Sequence, residues 1–185
     1  MTDRNPTPFL PAGLATGMGS LPHLDAREAL DVILAHIPEM PHWPQLPRRS
    51  AREHFVFQFL QPLVDCGVLV RRKRRWGFDT RREDHADCLT RFYTAALAAQ
   101  EGDAESLHRF SPTPEAAAGF HAFLARAQSA GLTGVCYVKG QIAGPLTIAL
   151  ELKDQDGIPA YYNETLRDVV VRTLALNARS QAAAL

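Results

Sequence analysis

The sequence predicts an α/β layered fold with parallel strands, and three observations predict it. Apolar stripes recur at helical spacing, short apolar runs of strand character stand between them, and no internal repeat or low-complexity linker breaks the alternation. At 185 residues, 46% hydrophobic and 22% charged, the chain is long enough for about one domain. A domain of that size buries roughly 70% of its unfolded surface, so neither metal nor disulfide is required for stability.

The first quarter is punctuated by proline, with eight of the thirteen prolines between Pro6 and Pro47, and the residue before each is biased away from helix. LATGMGSLP, residues 14–22, reads as a short buried strand ending in a Gly/Ser turn. Asp25 and Glu28 have capping-box spacing, and Leu30, Ile33, Leu34 and Ile37 form one helical stripe behind them. PHWPQLP, residues 41–47, leaves room only for a very short strand. Ser50 and Glu53 introduce a helix over residues 51–64, although Phe55, Phe57 and Phe59 alternate as a strand would. Residues 67–79 read as a small exposed hairpin around a basic turn.

Thr80 and Glu83 begin a helix whose stripe is Leu89, Phe92, Tyr93, Ala96 and Leu97 and which ends near Gly102. The next helix carries a complete start-to-stop signature: Thr113 as cap, Pro114 at the first position, Phe120, Phe123, Leu124 and Ala127 inside, Gly131 beyond. GVCYVKG, residues 134–140, is the clearest buried strand. Pro145 opens a short helix, DQDG at 154–157 turns the chain, and a last helix starts near Asn163 with Leu166, Val169, Val170 and Leu174 on its buried face. Three parallel strands, near residues 14–18, 40–43 and 134–139, are too few to close an eight-stranded barrel.

Twenty Lys plus Arg balance twenty Asp plus Glu, and the sequence pI is about 7.1, which argues against a dedicated nucleic-acid binder. Cys66, Cys88 and Cys136 form no CxxC pair and suit neither a disulfide scaffold nor a zinc ribbon. They read as reduced thiols. With no apolar leader and no stretch near 18 uncharged apolar residues, the expected compartment is the cytoplasm, without a membrane span.

GMGSLPH (17–23), PHWPQLPRRS (41–50), KGQIAGPLT (139–147) and NETLRDVVVRTLALNARSQ (163–181) resemble the superfamily of cobalamin-independent methionine synthase and uroporphyrinogen decarboxylase. The likeness is greater to the small methionine-synthase-like branch. It implies a partial TIM (β/α)8 barrel, the N-terminal half over residues 1–185, with the 67–79 hairpin as an insertion. It also implies methyl transfer to an amino-acid thiol such as homocysteine from a folate or corrinoid donor, this chain supplying one wall of the substrate site. In that family the turn after the first catalytic strand holds the amino-acid part of the thiol. Met18, Gly19 and Ser20 stand there in this sequence. Zinc belongs to the complete family fold, but its ligands lie in the C-terminal half, so no metal is assigned to this chain alone. The alternatives are a uroporphyrinogen-decarboxylase-like enzyme, disfavoured because no arginine sits in the GMGSLPH turn, and a non-catalytic half-barrel that self-associates or pairs with a complementing half.

The residues allow bland readings beside these. The glycines of GMGS either let a ligand approach or merely satisfy backbone conformation. Lys139 and Gln141, at a strand end, either grip a carboxylate or phosphate and orient a heterocycle or belong to structural pairs. Gly144 and Pro145 start a helix whose free N–H groups suit an anion or water. His23 and His42 are the candidates for acid–base chemistry near neutral pH. His85 and Cys88, at i and i+3, are two ligands without a third and read as exposed helix positions. From Arg48 to Arg82 there are ten basic and three acidic residues, including the run Arg71, Arg72, Lys73, Arg74, Arg75. That run suits a polyanion, such as a polyglutamyl tail or RNA, or a solvated hairpin tip.

Overall fold

The computed structural model describes Leu10, residues 12–72 and residues 75–185. Among the described residues, seven helices and one hairpin follow in order: α1 (Ala26–His36), α2 (Gln61–Asp65), β1 (Leu69–Arg72), β2 (Arg75–Phe78), α3 (His85–Glu101), α4 (Ala104–His108), α5 (Ala118–Ala130), α6 (Pro145–Glu151) and α7 (Glu164–Ala184). Single 3-10 turns occupy Ala51–Glu53 and Ala160–Tyr162.

The local signals explain most boundaries. Asp25 caps α1 by accepting from the N–H groups of Arg27 and Glu28, and Asn163 caps α7 by accepting from Leu166, each satisfying donors that the first helical turn leaves open. Gly102 ends α3 at φ +104°, a left-handed turn that suits glycine. Pro145 opens α6, where its missing N–H costs nothing. Asp154 organises the DQDG turn by accepting from the N–H groups of Asp156 and Ile158.

Long α7 is the spine. Leu166, Val169, Val170, Thr173, Leu174, Leu176, Asn177, Ser180 and Gln181 are all buried along it, and α3, α4 and α6 pack against it while α1 packs on α5. Phe92, Phe110, Phe120, Phe123 and Trp43 fill the core between them. Tyr93 on α3 donates its hydroxyl to Asp168 on α7 at 2.8 Å, and burial, then that bond, pushes its pKa up to about 12.

The partial barrel is overturned. Among the described residues the one sheet is the antiparallel pair β1–β2, in register Leu69 with Phe78 through Arg72 with Arg75. The segments expected as parallel strands near 14–18, 40–43 and 134–139 lie side by side but share only isolated parallel bridges, Ser20 with Gln45 and His42 with Lys139. The middle segment explains why. Pro41, Pro44 and Pro47 have no N–H to give, and the N–H of Leu46 goes instead to Glu53 Oε2 at 3.0 Å, so a central ladder cannot propagate. Residues 14–18 are also largely exposed.

Three helix boundaries differ from expectation. Residues 51–64 form a 3-10 turn, a run of turns and then short α2; Ser50 does cap, accepting from Arg52, but Glu53 turns inward to Leu46 and Arg49 instead of closing a capping box. Thr80 bonds Gln155 rather than a helix, so α3 starts at His85. Thr113 and Pro114 introduce a turn, with Ala116 and Ala117 donating to Thr113 O, and α5 begins four residues beyond Pro114. The hairpin forms as read, but its base is in the core through Leu69 and Phe78.

Candidate functional site

The three bridged segments bring most of the predicted residues together. Gln45 N–H donates to Gly19 O at 2.7 Å and Leu21 N–H to Gln45 O at 2.9 Å on one side; Lys139 N–H donates to Pro41 O at 2.9 Å on the other. The ends of all three therefore converge on one junction: Gly17 to Ser20, His42 to Gln45, and Lys139 to Gln141.

The glycines there make room for protein side chains. A Cβ on Gly17 would stand 2.4 Å from His42 Cε1, and one on Gly19, at φ +94°, would stand 1.7 Å from Gln141 Oε1. The space beside the GMGS turn is thus already taken by the His42 ring and the Gln141 amide. Met18 between them is 91% exposed, so it lines no enclosed pocket. Ser20 donates its hydroxyl to Gln45 Oε1 at 2.8 Å.

Behind the junction lies a polar network. Trp43 Nε1–H donates to Gln181 Oε1 at 3.0 Å; Gln181 Nε2 donates to Gln141 O at 2.9 Å and to Asn177 Oδ1 at 2.8 Å; Gln141 Nε2 donates to Trp43 O at 3.0 Å. On the other flank Gln45 Nε2 donates to Gln58 Oε1 at 2.9 Å, and Gln58 Nε2 to Ala116 O at 2.7 Å. Each buried amide is matched, as a low-dielectric interior demands. Gln45, Gln58, Trp43 and Gln181 were not singled out in the sequence. One signal existed: Asn177 and Gln181 continue the apolar stripe of α7 at i, i+4 spacing, and polar residues on a buried face must have partners.

Two groups at the junction are not matched. His42 is only 3% exposed, and its Nδ1 is buried without a hydrogen-bond partner. Burial, and then the positive charge of Lys139, holds its pKa below the usual histidine value, so the ring is neutral at pH 7. Lys139 is half-buried and forms no ion pair with a carboxylate among the described residues. His23 is half-buried beyond the turn, and its Nδ1 too is buried without a partner.

The other predicted groups lie elsewhere. Cys88 is fully buried, not exposed, and Arg91 Nη2 approaches its sulfur at 3.1 Å. No group of three His, Cys, Asp or Glu side chains able to hold a metal exists among the described residues. The donors among the described residues do not make up a zinc centre. Gly144 precedes α6 as an exposed N-cap with no side-chain hydrogen bond. Of the basic run, Arg71, Arg72 and Arg75 lie on the hairpin; Lys73 and Arg74 lie outside the described residues. No helix among the described residues is long and apolar enough to cross a membrane. No protein-family model, curated protein or solved structure matches the chain.

Proposed function

We propose that the junction binds the carboxylate of a small amino-acid-like substrate, and that the chain serves methyl transfer to a thiol such as homocysteine, as its resemblance to methionine synthase implies. One observation carries this reading: Lys139, half-buried and without a carboxylate partner, lies beside a buried His42 whose Nδ1 is unmet. An anion placed between them neutralises the ammonium and offers the imidazole an acceptor, turning two unfavourable features of the junction into two charge-assisted contacts. Ser20 lies across the middle segment and offers a hydroxyl that is shared only with Gln45. His42, neutral before binding, is the group available to take a proton from a thiol near neutral pH. Three free thiols suit the cytoplasm as the compartment.

Calorimetric titration with L-homocysteine tests the reading. Binding that weakens about tenfold in Lys139→Met, with L-cysteine and L-methionine as comparators, is the expected result. Absence of binding, or equal binding by Lys139→Met, contradicts it.

A second reading, self-association, is favoured by Met18 and Ile142 beside the junction and by Leu146 and Leu150 along α6, all exposed and apolar. Sedimentation at rising concentration checks it: a shift from monomer toward dimer is expected, abolished by Leu146→Glu.

A further inference from the structure

The basic hairpin is not absorbed by the junction. Its register explains what it does present. Leu69 pairs with Phe78 and Arg71 with Trp76, and alternate residues of a strand share a face. The face that sets Leu69 and Phe78 into the core therefore carries Arg71 and Trp76 side by side, Trp76 half-buried against the core and Arg71 exposed, while Arg72 and Arg75 stand on the opposite face.

That stretch forms one wall of a cleft of about 1290 Å³, closed by residues from 47–64 and by the 151–157 segment. Phe57, Leu60 and Leu69 give it an apolar floor. Its cations are Arg52, Arg71, Arg72, Arg75 and Lys153, against the two carboxylates of Glu151 and Asp154. Arg72 is engaged by Asp79 at 3.5 Å, and Asp154 is occupied by its own turn. Arg71, Arg75 and Lys153 have no ion pair with a described residue. The cleft is held in shape independently of these side chains, because Phe78 N–H donates to Lys153 O at 2.9 Å and Gly77 packs where a Cβ would stand 2.6 Å from that same oxygen.

We propose that this cleft binds a small phosphorylated ligand with a planar body, of the nucleotide type. Unpaired guanidinium groups match phosphate oxygens in a bidentate fork. The Trp76 ring and the apolar floor offer a flat surface to a base. A long polynucleotide instead calls for an extended basic track, whereas here the cations reach one cleft from both faces of a short hairpin and from Arg52 and Lys153. The cleft shares no lining residue with the junction.

The test follows tryptophan fluorescence during titration with ATP. The sequence has two tryptophans, and Trp43 is fully buried and bonded to Gln181, so a response reports on Trp76. Adenosine and tripolyphosphate are the comparators, and the exposed double variant Arg71→Ala/Arg75→Ala is the probe of the cations, its fold checked by circular dichroism. ATP binding about tenfold tighter than either comparator, and about tenfold weaker in the double variant, is expected. Three results overturn the proposal: no fluorescence response to ATP, tripolyphosphate binding as tightly as ATP, or a single-stranded RNA 12-mer binding more tightly than ATP.

Discussion

The junction and the hairpin cleft differ in how their polar groups are engaged. At the junction nearly every donor and acceptor is bonded within the protein: Ser20 to Gln45, Gln141 to Trp43, Trp43 to Gln181. Among the described residues His42 Nδ1, the Lys139 ammonium and, just beyond the turn, His23 Nδ1 stand apart. In the cleft the reverse holds, with Arg71, Arg75 and Lys153 facing solvent and no side-chain network tying them together. A site with few unmet groups on a fixed frame selects its ligand by geometry, while a site with many unmet cations on a mobile-length side chain selects by charge.

Stability separates the two regions most. Trp43→Ala removes a fully buried ring and strands Gln181, and is expected to cost about 3–5 kcal/mol in urea denaturation. Trp76→Ala, half-buried on β2, is expected to cost less than half as much. Equal costs would mean that the hairpin, too, is part of the rigid frame. Gln181→Leu keeps the volume but leaves Trp43 Nε1–H and the Gln141 carbonyl without their partner, for an expected loss of about 1–3 kcal/mol. Arg71→Ala should change stability by no more than about 0.5 kcal/mol, since its side chain touches no network.

The pH response should come from the junction. The folded-state pKa of His42 is depressed, so between that value and the ordinary value near 6.5 the unfolded chain binds more protons. The contribution of the neutral ring is fully present above about pH 6.5 and is lost as pH falls toward the folded pKa. Thermal melts from pH 8 to pH 5 should show this fall, and His42→Gln should flatten it. Salt, in contrast, should act on the cleft: raising ionic strength should weaken any anion bound there more than one bound at Lys139, because exposed cations are screened more completely than half-buried ones.

What was legible in the sequence follows the range of the interactions. Caps at Asp25 and Asn163, the stop at Gly102 and the start at Pro145 are local, and each is where its residue type places it. The stripe on α7 also emerges as written, because one face of a long helix has a single core to meet. The strands do not emerge, because pairing depends on partners distant in sequence, and the prolines at 41, 44 and 47 remove the donors that a central strand needs. The same prolines were visible from the start, as were the glycines at 17 and 19. That the glycines accommodate His42 and Gln141 depends on contacts across 25 and 122 residues of chain, which no local pattern encodes. The segments bearing Ser20, His42 and Lys139 do meet through isolated bridges, while Gln181, which ties the junction to α7, is recognisable only as a polar residue on an apolar stripe.

NMR titration of the His42 imidazole with and without L-homocysteine asks whether Lys139 and His42 together receive a substrate carboxylate. The expected result is a pKa that rises on binding, because the bound anion offsets Lys139 and accepts a hydrogen bond from the ring, and a rise mostly lost in Lys139→Met. An imidazole whose resonances and pKa are unmoved by saturating L-homocysteine would contradict it.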